Sequence, residues 1–413
     1  MRLCMVVQRY GPEAAGGAER LCAEVATRLA ARGHEVAVVT SCARDYATWE
    51  NHHPEGVEVA DGVEVHRLGV AHPRRERVFT PLNRRVAWGG GSAPHHLQRE
   101  WMAAQGPLLP GLVPWLVGRA AGFHVCVFFT YLYWTTWAGL PAASRLTPTV
   151  LLPAAHDEPP LRLGLFRDTF RQPTALAFLS DEEADLVRAR FAVPARSAVL
   201  GAGVDLDAGA APGAGVDVGA FRRAFGLGER PYLVCVGRLD PPKGSDELFG
   251  FWGAYKSRNP GPLALVMVGD PVVPVGEHPD VVLTGVLPEA GKRAALAGAA
   301  ALVAPSYFES FSMVLTEAWA AAVPVLVQRR CAVLVGQVRR AGGGIPYDGY
   351  AEFEAALDLL AERPGVAAAL GEAGRRYVTA HYGWDTVLDR YERFLAEVAR
   401  CRPPAPYGVG SRR

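Results

Sequence analysis

Short apolar runs alternate with helix-like stretches along almost the whole chain, and this alternation constrains the fold more than any other feature. Such runs, separated by helices, predict parallel strands that are covered on both faces of a sheet. We therefore expect an α/β protein. The predicted strands are Leu3–Val7, Val36–Thr40, Val63–Leu68, Val125–Phe129, Thr149–Leu152 and Ala175–Leu179, followed by Tyr232–Val236, Leu263–Val268, Val281–Leu283, Ala301–Ala304 and Pro324–Val327.

A stretch rich in Gly and Ala, Asp207–Asp217, interrupts the alternation, which then restarts. With 413 residues, half of them hydrophobic, the chain can form two cores. We expect two doubly wound, Rossmann-like domains, with ligands at the carboxyl ends of their strands. The predicted segments are an N-terminal domain over 1–205, a linker with the entry to the second domain over 206–230, a C-terminal domain over 231–380, a terminal helix over 381–400 and a disordered tail over 401–413.

The composition argues against nucleic-acid binding, a disulfide or zinc framework and a membrane-spanning segment. The chain has 43 basic and 42 acidic residues, so its charge gives no reason to expect nucleic-acid binding. Its seven cysteines are scattered and form no Cys-x-x-Cys pair, which favours free thiols over disulfides or a zinc site. No signal peptide is evident, and no apolar run reaches the roughly 18 residues of a membrane span. We expect a cytoplasmic protein, with a peripheral contact at the inner membrane face left open.

The strongest chemical signal follows the predicted strand Ala301–Ala304. The sequence PSYFESFS leads into a predicted helix, Ser312–Ala322, whose N-terminal N–H groups and positive dipole end can bind an anion. Glu309 precedes this helix and Glu317 lies within it. Isolated glutamates are usually surface charges, but Glu317 sits in a helix with almost no other charge and needs a partner. Two carboxylates beside a phosphate site suit a nucleotide sugar, with one on the sugar and one on the ribose.

A second signal follows the predicted strand Tyr232–Val236. The sequence VGRLDPPKG places Arg238 and Lys243 in a tight loop, where two cations can neutralise a diphosphate. A surface turn with ordinary basic residues is the alternative. Lys243 is one of only three lysines in a chain that otherwise uses arginine, which weakens that alternative; the others are Lys256 and Lys292.

Two weaker signals lie in the first half of the chain. Gly16 and Gly17 follow the first strand, where glycines let the backbone approach a ligand closely. The dinucleotide pattern G-x-G-x-x-G is absent, so NAD binding loses support. His156, Asp157 and Glu158 follow another strand, and the choice between a structural and a functional histidine is even. No second His or Cys stands at a metal-ligand spacing.

Residues Arg74–Pro114 do not fit the alternation and are predicted to be a loop-rich insertion, and the segment Arg74–Trp115 is the candidate for the acceptor side. Its arginines could meet an anionic lipid carrier or polysaccharide, and its tryptophans could stack on sugar faces. A solvated loop is an equally good interpretation. The candidates for the acceptor side are Arg74, Arg75, Arg84 and Trp88, together with Asp157.

The sequences GGAER, HDEPP and VGRLDPPKG, with the E-x7-E pattern of Glu309 and Glu317, together resemble the retaining glycosyltransferases of family 4. The resemblance covers almost the whole chain. It implies the GT-B architecture, in which two Rossmann-like domains with doubly wound parallel sheets face a cleft. It also implies that the terminal helix returns to the N-terminal domain.

The resemblance also implies roles for individual residues. Arg238 and Lys243 would bind the donor diphosphate, Glu317 the ribose and Glu309 the donor sugar, while His156 would line the sugar site. The implied catalytic residues are Glu309, His156, Arg238 and Lys243. The implied donor-binding residues are Gly16, Gly17, Arg238, Lys243, Glu309, Phe311, Ser312, Met313, Val314 and Glu317.

The chain departs from the family at two positions, since Ser312 and Ala322 stand where the family usually has glycine. Ser312 still offers its backbone N–H, so we expect donor binding to survive. Ala322 lies near the predicted helix end, where a left-handed backbone would be costly for any residue but glycine.

These observations predict a metal-independent hexosyltransferase that retains the anomeric configuration. The donor would be a UDP-hexose or GDP-mannose, and the acceptor a glycan, a lipid-linked sugar or a small molecule. No cofactor or metal is expected, because Arg238, Lys243 and a helix N-terminus can stabilise the leaving diphosphate. A GT-B nucleotide-sugar epimerase or phosphorylase and a non-catalytic nucleotide-sugar binding protein are the alternatives.

Overall fold

The computed structural model divides the chain into two compact units. One consists of Met1–Gly201 with Leu388–Arg413, and the other of Ala202–Val387. The structure describes residues 1–12, 16–89, 92–206, 216–272 and 276–401. Residues 207–215 of the predicted linker, and all but the first residue of the predicted disordered tail, lie outside the described residues.

The first unit contains an eight-stranded sheet with the order β3-β4-β2-β1-β5-β6-β7-β8. Neighbouring strands pair in parallel except β3 and β4, which are antiparallel. The strand order reverses between β1 and β5. The strands are β1 (Arg2–Val6), β2 (Glu35–Ser41), β3 (Gly56–Ala60), β4 (Val63–Leu68), β5 (Val125–Phe129), β6 (Thr149–Leu152), β7 (Ala175–Phe178) and β8 (Ser197–Val199).

Seven helices of the first unit connect these strands within the described residues. They are α1 (Gly17–Ala31), α2 (Glu76–Val86), α3 (His95–Gln105), α4 (Leu112–Arg119), α5 (Trp134–Ala143), α6 (Arg167–Arg171) and α7 (Asp181–Arg190). Helices α2, α3 and α4 occupy the segment predicted to be loop-rich, so that prediction is wrong. Pro94 precedes α3 and Pro114 lies in the first turn of α4, where a missing N–H costs little.

The second unit contains a six-stranded parallel sheet with the order β11-β10-β9-β12-β13-β14, which reverses between β9 and β12. Its strands are β9 (Tyr232–Val236), β10 (Ala264–Val268), β11 (Val281–Gly285), β12 (Ala301–Ala304), β13 (Val325–Gln328) and β14 (Gly344–Tyr347). Its helices are α8 (Val218–Ala224), α9 (Ser245–Arg258), α10 (Glu289–Ala297), α11 (Met313–Ala320), α12 (Ala332–Ala341), α13 (Tyr350–Glu362) and α14 (Pro364–His381).

The last helix, α15 (Trp384–Ala399), spans the boundary between the units. From Leu388 onward it packs within the first unit, where the Arg32 guanidinium donates to Asp389 at 2.7 Å and to Glu392 at 2.8 Å. The Tyr391 hydroxyl donates to the Gly201 carbonyl oxygen at 3.3 Å. Across the described parts of the chain, no helix combines the length and the apolar character that a membrane span requires.

The prediction of an α/β protein with two doubly wound parallel sheets is confirmed. Strands β3, β8 and β14 were not predicted, because none is a continuous apolar run. β14 contains Pro346 and lies at a sheet edge, where proline is tolerated. All seven cysteines are free thiols, and six of them are buried.

Candidate functional site

The second sheet reverses its strand order at β9 and β12, which pair directly with each other. Because both strands are parallel, their carboxyl ends meet at one edge of the sheet. Ligands of open α/β sheets bind in the crevice at such a reversal point. The two loops that leave these strands, Gly237–Asp240 and 305–312, carry the two strongest sequence signals.

The loop after β9 is closed by a capped turn. The Asp240 side chain accepts a hydrogen bond from the Lys243 backbone N–H at 3.0 Å and caps the 3₁₀ turn Pro241–Lys243. Gly244 follows in a left-handed conformation, and a Cβ there would overlap the Pro305 carbonyl. Glycine is therefore required for the β9 loop to pack against the β12 loop.

An ion pair joins the two loops. Lys243 Nζ lies 2.7 Å from Glu309 Oε1, with the two side chains 32% and 15% exposed. Arg238 is half exposed, and its guanidinium lies 3.1 Å from Asp240 Oδ2. Three of the four predicted catalytic residues, Arg238, Lys243 and Glu309, thus belong to one group of loops at the carboxyl edge of the second sheet.

The N-terminus of α11 begins in the same loop. Ser312 precedes Met313 with φ 70°, and the Gln337 amide donates to the Phe311 carbonyl from α12. The N–H groups of a first helical turn have no acceptor within the helix. The predicted donor-binding residues Phe311, Ser312, Met313 and Val314 therefore form the entry and the first turn of α11, beginning two residues after Glu309.

Both positions that depart from the family carry a left-handed backbone. Ser312 has φ 70° and Ala322 has φ 56°. A side chain in this region costs about 1–2 kcal/mol relative to a right-handed conformation. Both residues are therefore strained at positions where glycine would not be. Strain of this kind persists where the surrounding structure enforces it.

Glu317 lies in a second ion pair on α11. Its Oε1 atom is 2.9 Å from Nζ of Lys292, which also lies 3.1 Å from Oε2 of Glu289. The side chains of Glu317 and Lys292 are 13% and 11% exposed. Sequence reasoning missed Lys292, although its rarity as a lysine in this chain was a usable signal.

The first sheet reverses its order at β1 and β5, and a buried ion pair lies there. Arg9 Nη2 is 2.8 Å from Glu19 Oε1, with side chains 8% and 6% exposed. Arg9 also donates to the Arg44 carbonyl at 3.0 Å. A Cβ at Gly16 would overlap the Glu19 carboxylate, so this glycine has a local packing reason. Gly17 begins α1. Sequence reasoning missed Arg9.

A small pocket of about 90 Å³ opens beside this pair at the carboxyl ends of β1 and β2. Its surface is mostly apolar, and its volume lies below the roughly 300 Å³ at which small-molecule sites usually begin. Its lining residues are Arg9, Tyr10, Gly11, Pro12, Ala43, Arg44 and His53.

His156 and Glu158 lie together after β6. His156 Nδ1 is 3.6 Å from Glu158 Oε1, which accepts the Tyr131 hydroxyl at 2.8 Å. Asp157 points elsewhere and forms an exposed ion pair with Arg190 at 2.7 Å. The structure thus separates Asp157 from its two neighbours in sequence.

Glu183 holds the turn that precedes His156. Its carboxyl group is fully buried and accepts hydrogen bonds from the backbone N–H groups of Ala155 at 2.7 Å and of Leu179 at 2.6 Å. Ala154 has φ 48°, a left-handed conformation that this clamp stabilises. Burial raises the pKa of Glu183 to about 8. Sequence reasoning did not identify this residue.

The four acceptor-side candidates of the segment Arg74–Trp115 differ in their exposure. Arg74 is half buried, and its guanidinium lies over the rings of Trp49 and Phe79 at 5.3 Å and 4.3 Å. Burial lowers the pKa of Arg74. The other three candidates, Arg75, Arg84 and Trp88, are exposed on or beside α2. In the described parts of the chain, no three His, Cys, Asp or Glu side chains form a group that could hold a metal ion.

The models of two protein families match the chain. Residues 15–208 match the family described as Glycosyltransferase Family 4. Residues 230–362 match the family described as Glycosyl transferases group 1. Each match falls mainly in one of the two units.

Curated relatives are similar over much of the chain. A D-inositol 3-phosphate glycosyltransferase of Salinispora arenicola is 30% identical over 94% of this chain and 89% of the relative. A GDP-mannose-dependent alpha-(1-6)-phosphatidylinositol monomannoside mannosyltransferase of Mycobacterium tuberculosis is 28% identical over 73% of this chain and 77% of the relative. A D-inositol 3-phosphate glycosyltransferase of Kribbella flavida is 31% identical over 55% of this chain, and the chain spans 57% of its length.

Solved structures share the fold. A sucrose-phosphate synthase from Thermosynechococcus elongatus superposes with a TM-score of 0.71 at 17% identity, over 96% of this chain and 98% of that one. Anabaena HepE in complex with UDP-glucose superposes with a TM-score of 0.68 at 15% identity, over 96% of this chain and 100% of that one.

Proposed function

Because this chain belongs to the family 4 glycosyltransferases of the GT-B fold, we propose that it transfers a hexose from a nucleoside diphosphate sugar to an acceptor hydroxyl, with retention at the anomeric carbon. The observation that carries the proposal is the Lys243–Glu309 pair, which lies with Arg238 at the reversal point of the second sheet. A diphosphate fits the cations and the N-terminus of α11, and a sugar fits the carboxylate.

When the donor binds, the ion pair between Lys243 and Glu309 is replaced by contacts of each side chain with the donor. Lys243 leaves Glu309 for a phosphate oxygen, and the Glu309 carboxylate then accepts hydrogen bonds from sugar hydroxyls. The partly exposed Lys243 can make this exchange, because its ammonium is not enclosed by protein. Arg238 supplies the second cation, and Glu317 accepts hydrogen bonds from the ribose diol.

The leaving diphosphate gains negative charge as the glycosidic bond breaks. Arg238, Lys243 and the first-turn N–H groups of α11 stabilise that charge, and fixed donors of this kind usually lower the activation barrier more than any other feature of such a site. The acceptor hydroxyl attacks from the side of the leaving group, and a donor phosphate oxygen takes its proton. The fixed cations replace a metal ion in this scheme. His156 is a further contact of the transferred sugar.

The donor is a UDP-hexose or GDP-mannose in this proposal. The Mycobacterium tuberculosis relative is described as GDP-mannose-dependent, and Anabaena HepE has been solved with UDP-glucose. Thermal denaturation against UDP-, GDP-, ADP- and dTDP-sugars identifies the donor, because a ligand at 100 times its Kd stabilises the folded state by about 2.7 kcal/mol. No stabilisation by any of these sugars would contradict the proposal.

Turnover with the donor found in that screen tests the reaction. We expect transfer to continue in EDTA and to fall about 100- to 1000-fold in Lys243→Ala. Arg258→Ala, which removes an exposed cation of α9, is the matched control. Loss of activity in EDTA, or full activity without Lys243, would overturn the mechanism. The anomeric configuration of the product decides between retention and inversion.

We propose that the exposed face of α2 meets an anionic acceptor or the cytoplasmic membrane surface that carries it. Arg75, Arg84 and Trp88 are exposed there, and basic side chains beside a tryptophan suit a lipid headgroup region. Flotation with anionic and neutral vesicles tests the lipid version. Binding that does not depend on anionic lipid, or that survives Arg75→Ala with Arg84→Ala, would remove it.

A further inference from the structure

We propose that Lys292 is a positioning residue for the donor nucleotide, which holds the Glu317 carboxylate toward the ribose diol and so makes the site prefer ribonucleotides. This inference rests on the proposed function, in which Glu317 binds the ribose. Lys292 lies on α10, outside every motif that carries the resemblance to the family.

Lys292 lies on α10 and forms an ion pair with Glu317 on the neighbouring helix α11. Its ammonium lies 2.9 Å from Glu317 Oε1, and the two residues are 25 positions apart in the sequence. The neighbours of Glu317 on α11, Thr316 and Ala318, are fully buried. The carboxylate is thus held at the boundary of α10 and α11 by a charge from the neighbouring helix.

Electrostatics explain why a cation is needed at this place. A carboxylate that is largely removed from water is costly unless a charge or a hydrogen-bond donor compensates it. Lys292 supplies the charge and is itself held by Glu289 at 3.1 Å. Glu289 also pairs with Arg293 at 3.3 Å, and Arg293 bonds Asp205. The Lys292 ammonium is therefore fixed from both sides.

A carboxylate held in one orientation can accept hydrogen bonds from both hydroxyl groups of a ribose diol. A carboxylate accepts about four hydrogen bonds, so one bond from Lys292 does not exclude bonds from two hydroxyls. Without Lys292 the carboxylate loses its orientation and its compensating charge, and its contact with the ribose weakens. The diphosphate contacts depend on Lys243 and Arg238 and should stay. The loss should therefore appear with ribonucleotides and not with nucleotides that lack the 2′-hydroxyl.

Calorimetric titration with UDP, GDP and their 2′-deoxy counterparts tests this proposal on the full chain. We expect Lys292→Met to weaken ribonucleotide binding about tenfold, the effect of losing roughly one charge-assisted hydrogen bond, and to change deoxynucleotide binding less than about twofold. Glu317→Gln should lower the ribo-to-deoxy preference in the same way. Lys292→Arg should retain the preference for ribonucleotides, because the positive charge is kept.

Arg258→Met is the control, since it removes an exposed cation of the same unit that pairs with Glu354 and belongs to neither ion pair of Lys292. If Lys292→Met does not fold, Lys292→Gln provides the same comparison. Equal weakening of both nucleotide classes, or no weakening, overturns the inference. If Glu317→Gln changes the preference and Lys292→Met does not, only this inference fails. If the wild-type chain binds no nucleoside diphosphate, the proposed function fails with it.

Discussion

The two sheets both reverse their strand order, yet the charges at the two reversal points differ in how they are held. In the second unit, Lys243 is a third exposed and Arg238 about half exposed, so each can exchange its partner for a ligand. In the first unit, Arg9 and Glu19 are almost fully buried against each other. A buried pair is costly to separate, whereas a partly exposed pair is not. The second region is suited to binding an anion, and the first holds loops in place.

The largest expected effect is the loss of turnover in Lys243→Ala, which tests whether the exposed ion pair of the second unit serves binding. We expect Lys243→Ala to lower kcat about 100- to 1000-fold while the midpoint of thermal unfolding changes little, because the residue is partly exposed. Measuring kcat and the melting temperature on one preparation separates the two effects. A large drop in melting temperature would show that this pair is structural like Arg9–Glu19.

The next effect is on stability in the first unit. Arg9→Met leaves the Glu19 carboxylate buried without its charge partner, and breaking a buried pair typically costs about 3–5 kcal/mol. Urea unfolding measures the loss. The double variant with Glu19→Leu should recover much of it, because no buried charge remains. If Arg9→Met unfolds as the wild type does, the contrast between the two regions is wrong.

Glu183 provides a pH-dependent test of burial. Its folded-state pKa is raised to about 8 from the ordinary value of 4.5, so between these values the folded state holds a proton that the unfolded state has lost. Stability from this group therefore falls as pH rises through that window. Glu183→Gln has no such titration, and its stability relative to the wild type should rise from pH 5 to pH 8. A difference that stays constant with pH would contradict the burial argument.

The smallest effect concerns the strained backbone. Ser312→Gly should relieve a left-handed conformation and raise the free energy of unfolding by up to about 1 kcal/mol, since the added chain entropy of glycine offsets part of the gain. Ala322→Gly is the matched control at the other end of α11. Both variants should gain stability, and only Ser312→Gly lies where donor affinity can change. Destabilisation of both would show that the left-handed backbone is not strained.

The sequence alone determined the α/β class, the two doubly wound sheets and the loops that carry Arg238, Lys243 and Glu309. These are local signals, because a short apolar run marks a strand and the residues after it must lie at the carboxyl edge of a parallel sheet. Helices α2 to α4 were missed because scattered glycines and prolines suggest loops, although helices tolerate proline in the first turn.

Only the tertiary structure decided the partner of each charge. Lys292 meets Glu317 across 25 residues of sequence, Glu183 meets Ala155 across 28, and Arg9 meets Glu19 across 10. Which side chains meet depends on how helices pack on the sheets, and a single sequence contains no local pattern for that. Burial follows from the same packing, and it decides whether an ion pair can exchange its partner or only holds the fold together.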